Sequence, residues 1–334
     1  MMNPIRKLTR RGFALASASV AAIAFAPVIA CAQAGNSPVR IIVGFPPGGS
    51  SDVVARQLAE VLRHKLGRTV LVENRAGAAG RIAPDFVRTA AADGSVILLT
   101  PNPMITQYQS VYRKLTYDPH RDFTPVAQVA TYPLFVSVGP AVPESVKNIR
   151  QYLEWTKSGA KNGFFGSPAT GSTPHFVGVM LGKSANIELT HVPYKGDAPG
   201  IQDLLGGQVP MSINVPAAQL PHVGGGKLRV LATSGAHRSP DLPNTPTLAE
   251  QGFPSLQTND WFGVFVPAAT PASVVQQLQG AFGDALASST VRESFLKLGI
   301  QPAFLGSTEF TRRIKDDSSS FAALVKSVGF VPEE

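Results

Sequence analysis

The sequence predicts an α/β fold with mostly parallel sheets, and three observations carry that expectation. Short apolar runs alternate with longer stretches whose apolar residues recur at helical spacing. Glycine and proline, 31 and 28 residues without any period, punctuate the joints between them. Hydrophobic residues make up 44% of the chain against 16% charged, enough for a large core and too apolar for a disordered polymer. Strands that alternate with helices are the pattern of crossover-linked sheets. A length of 334 residues suggests roughly two domains at ~150 residues each.

The first 34 residues read as an export signal: a basic stretch Met1–Arg11, an apolar stretch from about Gly12 to Ile29, and Ala32-Gln33-Ala34 as a cleavage site before Gly35. Thr9-Arg10-Arg11-Gly12-Phe13 looks like a twin-arginine motif, although Ala14 and Leu15 depart from its usual ending. Two other readings stay open. The stretch could be an uncleaved anchor, but Pro27 interrupts it and it falls short of the ~20 residues needed to span. Val28-Ile29-Ala30-Cys31 also fits a lipoprotein box, which would lipidate Cys31. The expected mature chain is soluble, begins near Gly35 and works outside the cytoplasm.

In the body, Val39–Phe45 reads as a buried strand that ends at Pro46-Pro47-Gly48-Gly49. Ser51-Asp52 is expected to cap a helix carrying Val54, Leu58, Val61, Leu62 and Leu66 and ended by Gly67. Strands follow at Thr69–Glu73, Val96–Thr100 and Val129–Val138, with a helix near Ala83–Ala91. A second block reads as helix Val146–Thr156, strand Gly163–Gly166, a helix capped by Ser172, strand Leu189–Val192, helix Ala198–Leu205, and strands Val209–Asn214 and Leu228–Ala232. Strand Trp261–Val266 and helices Pro271–Ala287, Val291–Leu298 and Thr308–Val328 complete the chain.

Composition excludes several functions. One cysteine rules out disulfide scaffolds, zinc fingers and iron–sulfur clusters. The net charge of +8 includes Arg6, Lys7, Arg10 and Arg11 of the leader, leaving +4 for the rest, with no basic run dense enough for nucleic acid. No G-x-G-x-x-G follows a strand, and Gly178–Ser184 is one residue short of a P-loop and falls inside a helix. There is no G-x-S-x-G elbow, no H-E-x-x-H, and the six histidines show no i,i+4 pair for a metal. No cofactor or metal is expected.

Two turns carry the candidate chemistry. Pro46, Gly48, Gly49, Ser50, Ser51 and Asp52 join a strand to a helix start, where close backbone approach, free N–H groups and the positive dipole end suit a carboxylate. Ser167–His175 repeats the design with Ser167, Thr170, Gly171, Ser172, Thr173 and His175. Each turn alone is equally readable as an ordinary strand–helix joint; two in one chain suggest a pincer on one acidic molecule. His175 either donates to a ligand or packs locally. Lys195, at a strand end, faces an anion or water, and Trp261 is a cleft wall or a core residue.

The ordered set of such segments resembles the Bug family, the extracytoplasmic solute receptors of tripartite tricarboxylate transporters. The carriers include Pro46–Asp52, Val72–Gly80, Ala92-Asp93-Gly94, Gly166–His175, Val192–Gly196, Gly226–Thr233, Pro243–Gly252, Trp261-Phe262-Gly263 and Pro267–Pro271, over essentially all of residues 38–334. The resemblance implies a two-domain periplasmic-binding-protein fold, type II-like, with a ligand cleft between hinged domains. Domain 1 would comprise 38–130 plus 262–334, and domain 2 would comprise 131–261. It implies a ligand carboxylate held by the two turns, partly through ordered waters. Where the family usually has Asp-Asn-Leu-Pro-Ser, this chain reads Ile213-Asn214-Val215-Pro216-Ala217. Asn214 keeps its place, but the lost carboxylate and hydroxyl imply a more apolar pocket, for an aromatic or longer aliphatic carboxylate. The expected protein is a monomeric periplasmic receptor that delivers a di-, tri- or aromatic carboxylate to the membrane components of such a transporter. A receptor signalling to a membrane sensor, or an exported hydrolase, are the rival readings.

Overall fold

The computed structural model describes residues 37–334; the export signal and Cys31 lie outside the described residues. The chain first lays down β1 (Val39–Val43), α1 (Ser50–Leu66), β2 (Val70–Asn74), α2 (Ile82–Val87), β3 (Val96–Pro101), the short α3 (Pro103–Thr106) and α4 (Tyr108–Val111), and β4 (Phe123–Tyr132). It then builds β5 (Phe135–Val138), α5 (Ile149–Thr156), β6 (Phe164–Ser167), α6 (Thr173–Ala185), β7 (Thr190–Pro193), α7 (Asp197–Leu205), β8 (Met211–Asn214), α8 (Pro216–Val223) and β9 (Arg229–Thr233). It returns through β10 (Asp260–Pro267), α9 (Ala272–Ala287), α10 (Ser289–Lys297), β11 (Gln301–Gly306) and α11 (Ser307–Val328).

Two sheets result, ordered β11-β4-β10-β3-β1-β2 and β7-β6-β8-β5-β9. The α/β class holds, but the sheets are mixed rather than mostly parallel. β1 pairs in parallel with β2 and β3, whereas β10 runs antiparallel to β3 and β4, and β11 to β4. In the other sheet β6 is parallel to β7 and β8, and β5 is antiparallel to β8 and β9. The reason is the route of the chain. β4 leads out of the first sheet and β10 leads back in, so the two lie side by side in opposite directions.

The expected single strand Val129–Val138 is therefore two strands in different sheets. Pro133 has no N–H to continue a ladder, and the chain changes sheet there. Ser234, fully buried, stitches the two crossings together. Its Oγ accepts from Leu134 N–H at 2.8 Å and donates to the Thr258 carbonyl at 2.8 Å. Its main chain pairs with the same residues, Ser234 N–H to the Leu134 carbonyl and Thr258 N–H to the Ser234 carbonyl, each at 2.9 Å.

The cap of α1 also differs from expectation. Gly49, extended at φ −75° and ψ 167°, is its N-cap residue and no side chain caps it. Asp52 instead lies in the first turn and accepts Gly48 N–H at 2.9 Å, bracing the turn from below. Gly67 does end α1, left-handed at φ 61°. Strand β11 and helices α3, α4 and α8 were not expected from the sequence: α3 and α4 are one turn long, and α8 contains Pro221.

Candidate functional site

Two strand–helix turns, one from each sheet, face a common buried cavity. The first follows β1 and starts α1; the second follows β6 and starts α6. The cavity is small, about 40 Å³, and its wall includes Ser50 and Ser51 from α1, Ala169, Ser172 and Pro174 from the start of α6, and Leu134 from the crossing. Apolar surface dominates the remainder, with Tyr132 and Phe262 packed against each other at 4.7 Å between ring centroids. Val215, in the segment that departs from the family pattern, adds another apolar side chain.

Of the first turn, Ser50 and Ser51 reach the cavity, while Asp52 does not. Burial alone would raise the Asp52 carboxyl, but hydrogen bonds from Arg56, Gly48 N–H and Asn74 hold its pKa below the ordinary value. Gly48 is left-handed at φ 82°, a conformation that glycine adopts without steric cost. Pro46 lies at the outer mouth of the cleft, where a side chain on Gly196 would stand only 3.1 Å from its ring.

In the second turn, Ser172 is the cap as expected. Its Oγ accepts His175 N–H at 3.4 Å and donates to the Ala169 carbonyl at 2.7 Å. Ser172→Ala is expected to lower stability by about 1 kcal/mol with and without ligand, read as a uniform drop in melting temperature. Thr173 turns the other way. Its hydroxyl donates to Asp260 Oδ1 at 2.9 Å and accepts from Gln107 Nε2 at 2.7 Å, beside a separate cavity of about 270 Å³ between α6 and α11. Thr170 sits at the outer mouth with Lys195, and Gly171, left-handed at φ 76°, gives its N–H to His175 Nδ1 at 3.1 Å.

His175 packs behind the turn rather than into the cavity. Its ring stacks on His191 at 3.9 Å between centroids. The Ser167 hydroxyl lies between the Ala169 carbonyl, 3.1 Å away, and His191 Nε2, with which it shares a hydrogen bond at 2.7 Å. Burial lowers both imidazole pKa values, to about 4 for His175 and about 3 for His191, where the neighbouring ring adds to the effect. Asn214 is buried, with Oδ1 accepting Val215 N–H and Nδ2 without a partner among the described residues. Trp261 is a core residue and not a cleft wall: it is fully buried against Phe310 at 4.9 Å and donates from Nε1 to Asp317. The large indole fills the space between β10 and α11, which leaves nothing of it for the cleft.

The sequence reading passed over two acids of the cavity wall, Asp197 and Asp260. Asp197 Oδ2 accepts Ser50 N–H at 2.9 Å, so a carboxylate of the β7–α7 turn already sits at the start of α1. The signal was present in Gly196-Asp197, a third strand–helix turn of the kind already singled out twice. Asp260 takes hydrogen bonds from Asn102 and Thr173, yet burial pushes its carboxyl up to about 6. Among the described residues no group of three or more His, Cys, Asp or Glu side chains is placed to hold a metal, and no helix is long and apolar enough to cross a membrane.

Two sheets joined by paired crossings, with a cavity lined by helix starts from each, define a solute-binding receptor of the periplasmic-binding-protein type. A family model described as the tripartite tricarboxylate transporter family receptor matches residues 54–330, and the chain belongs to that family. It is 33% identical to Protein BugT of Bordetella pertussis over 98% of this chain and 99% of the relative. Among solved structures it resembles the periplasmic binding protein BugD, at 32% identity and TM-score 0.82 over 89% of this chain and 99% of that one. It likewise resembles R. palustris Rpa4515 with adipate, at 31% identity and TM-score 0.84 over 89% and 98%.

Proposed function

We propose that this chain is an exported receptor that captures a small organic carboxylate between its lobes and presents the closed form to the membrane components of a tripartite tricarboxylate transporter. The observation that carries this reading is the cavity faced by the starts of α1 and α6. The first N–H groups of a helix have no intrahelical partner, and the dipole there favours an anion; at α1 the Asp197 carboxylate already takes Ser50 N–H, which leaves the start of α6 for a ligand carboxylate. Ser51 and Ser172 place such helix starts on opposite walls of one buried space. The apolar remainder of the wall suits the carbon body of the solute. Homologous solved structures with adipate, and at 27% identity with malate, support a carboxylate as the ligand class.

The receptor works without making or breaking a bond. A solute that touches both lobes only when they are together shifts the open–closed equilibrium toward closed by its differential affinity. The lobes, 38–130 plus 262–334 and 131–261, would turn about the Ser234 crossings. The protein would act as a monomer in the periplasm, released from its signal near Gly35.

Calorimetry tests the reading. A carboxylic acid that binds is expected to lose at least ten-fold in affinity when esterified, because each hydrogen bond to a charged group contributes ~1.5–3 kcal/mol. Equal affinity for acid and methyl ester overturns it.

A further inference from the structure

Among the described residues the cavity wall holds two carboxylates, Asp197 and Asp260, and no arginine, lysine or histidine. The two acids are not equivalent. Asp260 is supplied with donors by Asn102 Nδ2 at 3.1 Å and Thr173 Oγ1 at 2.9 Å. At the Asp197 carboxylate, the one hydrogen bond among the described residues comes from Ser50 N–H. Burial raises the Asp197 pKa and the nearby Ser50 hydroxyl opposes that rise, yet among the described residues this hydroxyl meets no partner at hydrogen-bonding geometry and is buried, 3% exposed. At this end of the cavity, therefore, a carboxylate and a hydroxyl stand together with hydrogen-bonding capacity unused. A ligand carboxylate could take the Ser50 hydroxyl proton, but it has no proton to give Asp197, and like charges at this range repel. An ammonium group brings three donors and the opposite charge.

We propose that Asp197 determines which carboxylates this receptor accepts. The cavity takes a solute that pairs one carboxylate with an ammonium group, the ammonium against Asp197 and Ser50 Oγ and the carboxylate toward the start of α6. Dicarboxylates of the same length are rejected. The inference rests on the carboxylate-receptor reading above and narrows it. Asp197 belongs to the β7–α7 turn and Ser50 to the β1–α1 turn, so the ammonium would touch both lobes and reward closure directly.

The test is a calorimetric titration of the purified chain and of Asp197→Asn with matched pairs: succinate against 3-aminopropanoate, and adipate against 5-aminopentanoate. The members of each pair differ only in carrying a carboxylate or an ammonium at the far end. For the parent, the amino acid of a pair is expected to bind at least ten-fold more tightly than the dicarboxylate. Asp197→Asn keeps an oxygen to accept Ser50 N–H but loses the charge. It is expected to weaken the amino acid and strengthen the dicarboxylate, each by about ten-fold or more. Opposite changes for two ligands do not arise from a damaged fold, and an unchanged melting temperature without ligand confirms that the variant is intact. A parent that binds dicarboxylates as well as amino acids, or a variant that shifts both ligands the same way, overturns the role of Asp197 and leaves the carboxylate receptor standing. Absence of binding by all four acids to both proteins overturns the carboxylate reading itself, and this inference with it.

Discussion

The two stacked imidazoles are expected to stay neutral well below the pH at which a solvent-exposed histidine is half-protonated, near 6.5. Burial places His175 at about 4 and His191 at about 3. Between those values and 6.5 the unfolded chain binds protons that the folded chain refuses. Stability from this pair is therefore whole above about pH 7 and is lost as the pH falls through 6.5 toward 4. Each histidine contributes up to ~1.4 kcal/mol per pH unit in that window, so the pair accounts for a loss of several kcal/mol.

Asp260, raised to about 6, works in the opposite sense. Its folded form holds a proton that the unfolded form releases, so its contribution falls as the pH rises from about 4 to 6. Asp197, also raised by burial, adds to that opposing trend. The bare stability curve of the parent thus mixes both signs. The histidine part is isolated by subtracting the curve of a His175→Asn, His191→Gln double variant. The difference should shrink steadily from pH 7 to pH 4. Imidazole proton signals in NMR check it independently: a midpoint above pH 6 for either ring refutes the neutral stack. Protonating His175 at Nδ1 also removes the acceptor of Gly171 N–H, so the same acid range loosens the turn that starts α6.

Ser234→Ala is expected to cost about 2–4 kcal/mol, a large loss for the removal of one oxygen atom. The substitution strips the Leu134 N–H of its acceptor and the Thr258 carbonyl of one donor. Leaving a buried polar group unpaired costs ~1–3 kcal/mol, which applies in full to the buried Leu134 N–H and in smaller measure to the part-buried Thr258 carbonyl. Ser234→Thr keeps the hydroxyl and separates loss of the stitch from loss of volume. Urea denaturation of the parent and both variants reads the effect. A change below about 0.5 kcal/mol for the alanine variant would show that the crossings hold without the side chain.

Much of this fold could be read from the sequence because its elements are locally encoded. The apolar periodicity of α1 and the left-handed Gly67 behind it needed no tertiary information, nor did the Ser172 cap of α6. What escaped was decided by distant partners. The break at Pro133 is invisible in the apolar run Val129–Val138, because only the second sheet gives Phe135–Val138 somewhere else to pair. β11 is half-exposed and, among the described residues, pairs with β4 alone, so its residues show no buried run. In the site, the strand–helix turns were legible by residue type, but the direction of each side chain was not. Thr173 and Ser172 are neighbours, and the helix start sends one hydroxyl toward Asp260 and leaves the other on its own turn. Asp197 reaches the cavity wall in company with Ser50, a partner 147 residues away that no local pattern could reveal.

The brevity of the Pro133-Leu134 crossing suits this chain to optical measurement. A link of two residues between β4 and β5 leaves a closing motion little freedom except rotation about a nearby axis. In such a rotation displacement grows with distance from the axis, so the lips of the cleft travel farthest. Arg81 and Lys195 line the same outer mouth, and on the proposed division into lobes they would stand on opposite lips. Cys31 is the sole native cysteine and precedes Gly35, so the body offers no competing thiol to a dye. A pair of cysteines at positions 81 and 195, carrying donor and acceptor fluorophores, would turn solute capture into a colour change that can be read without knowing what the solute is.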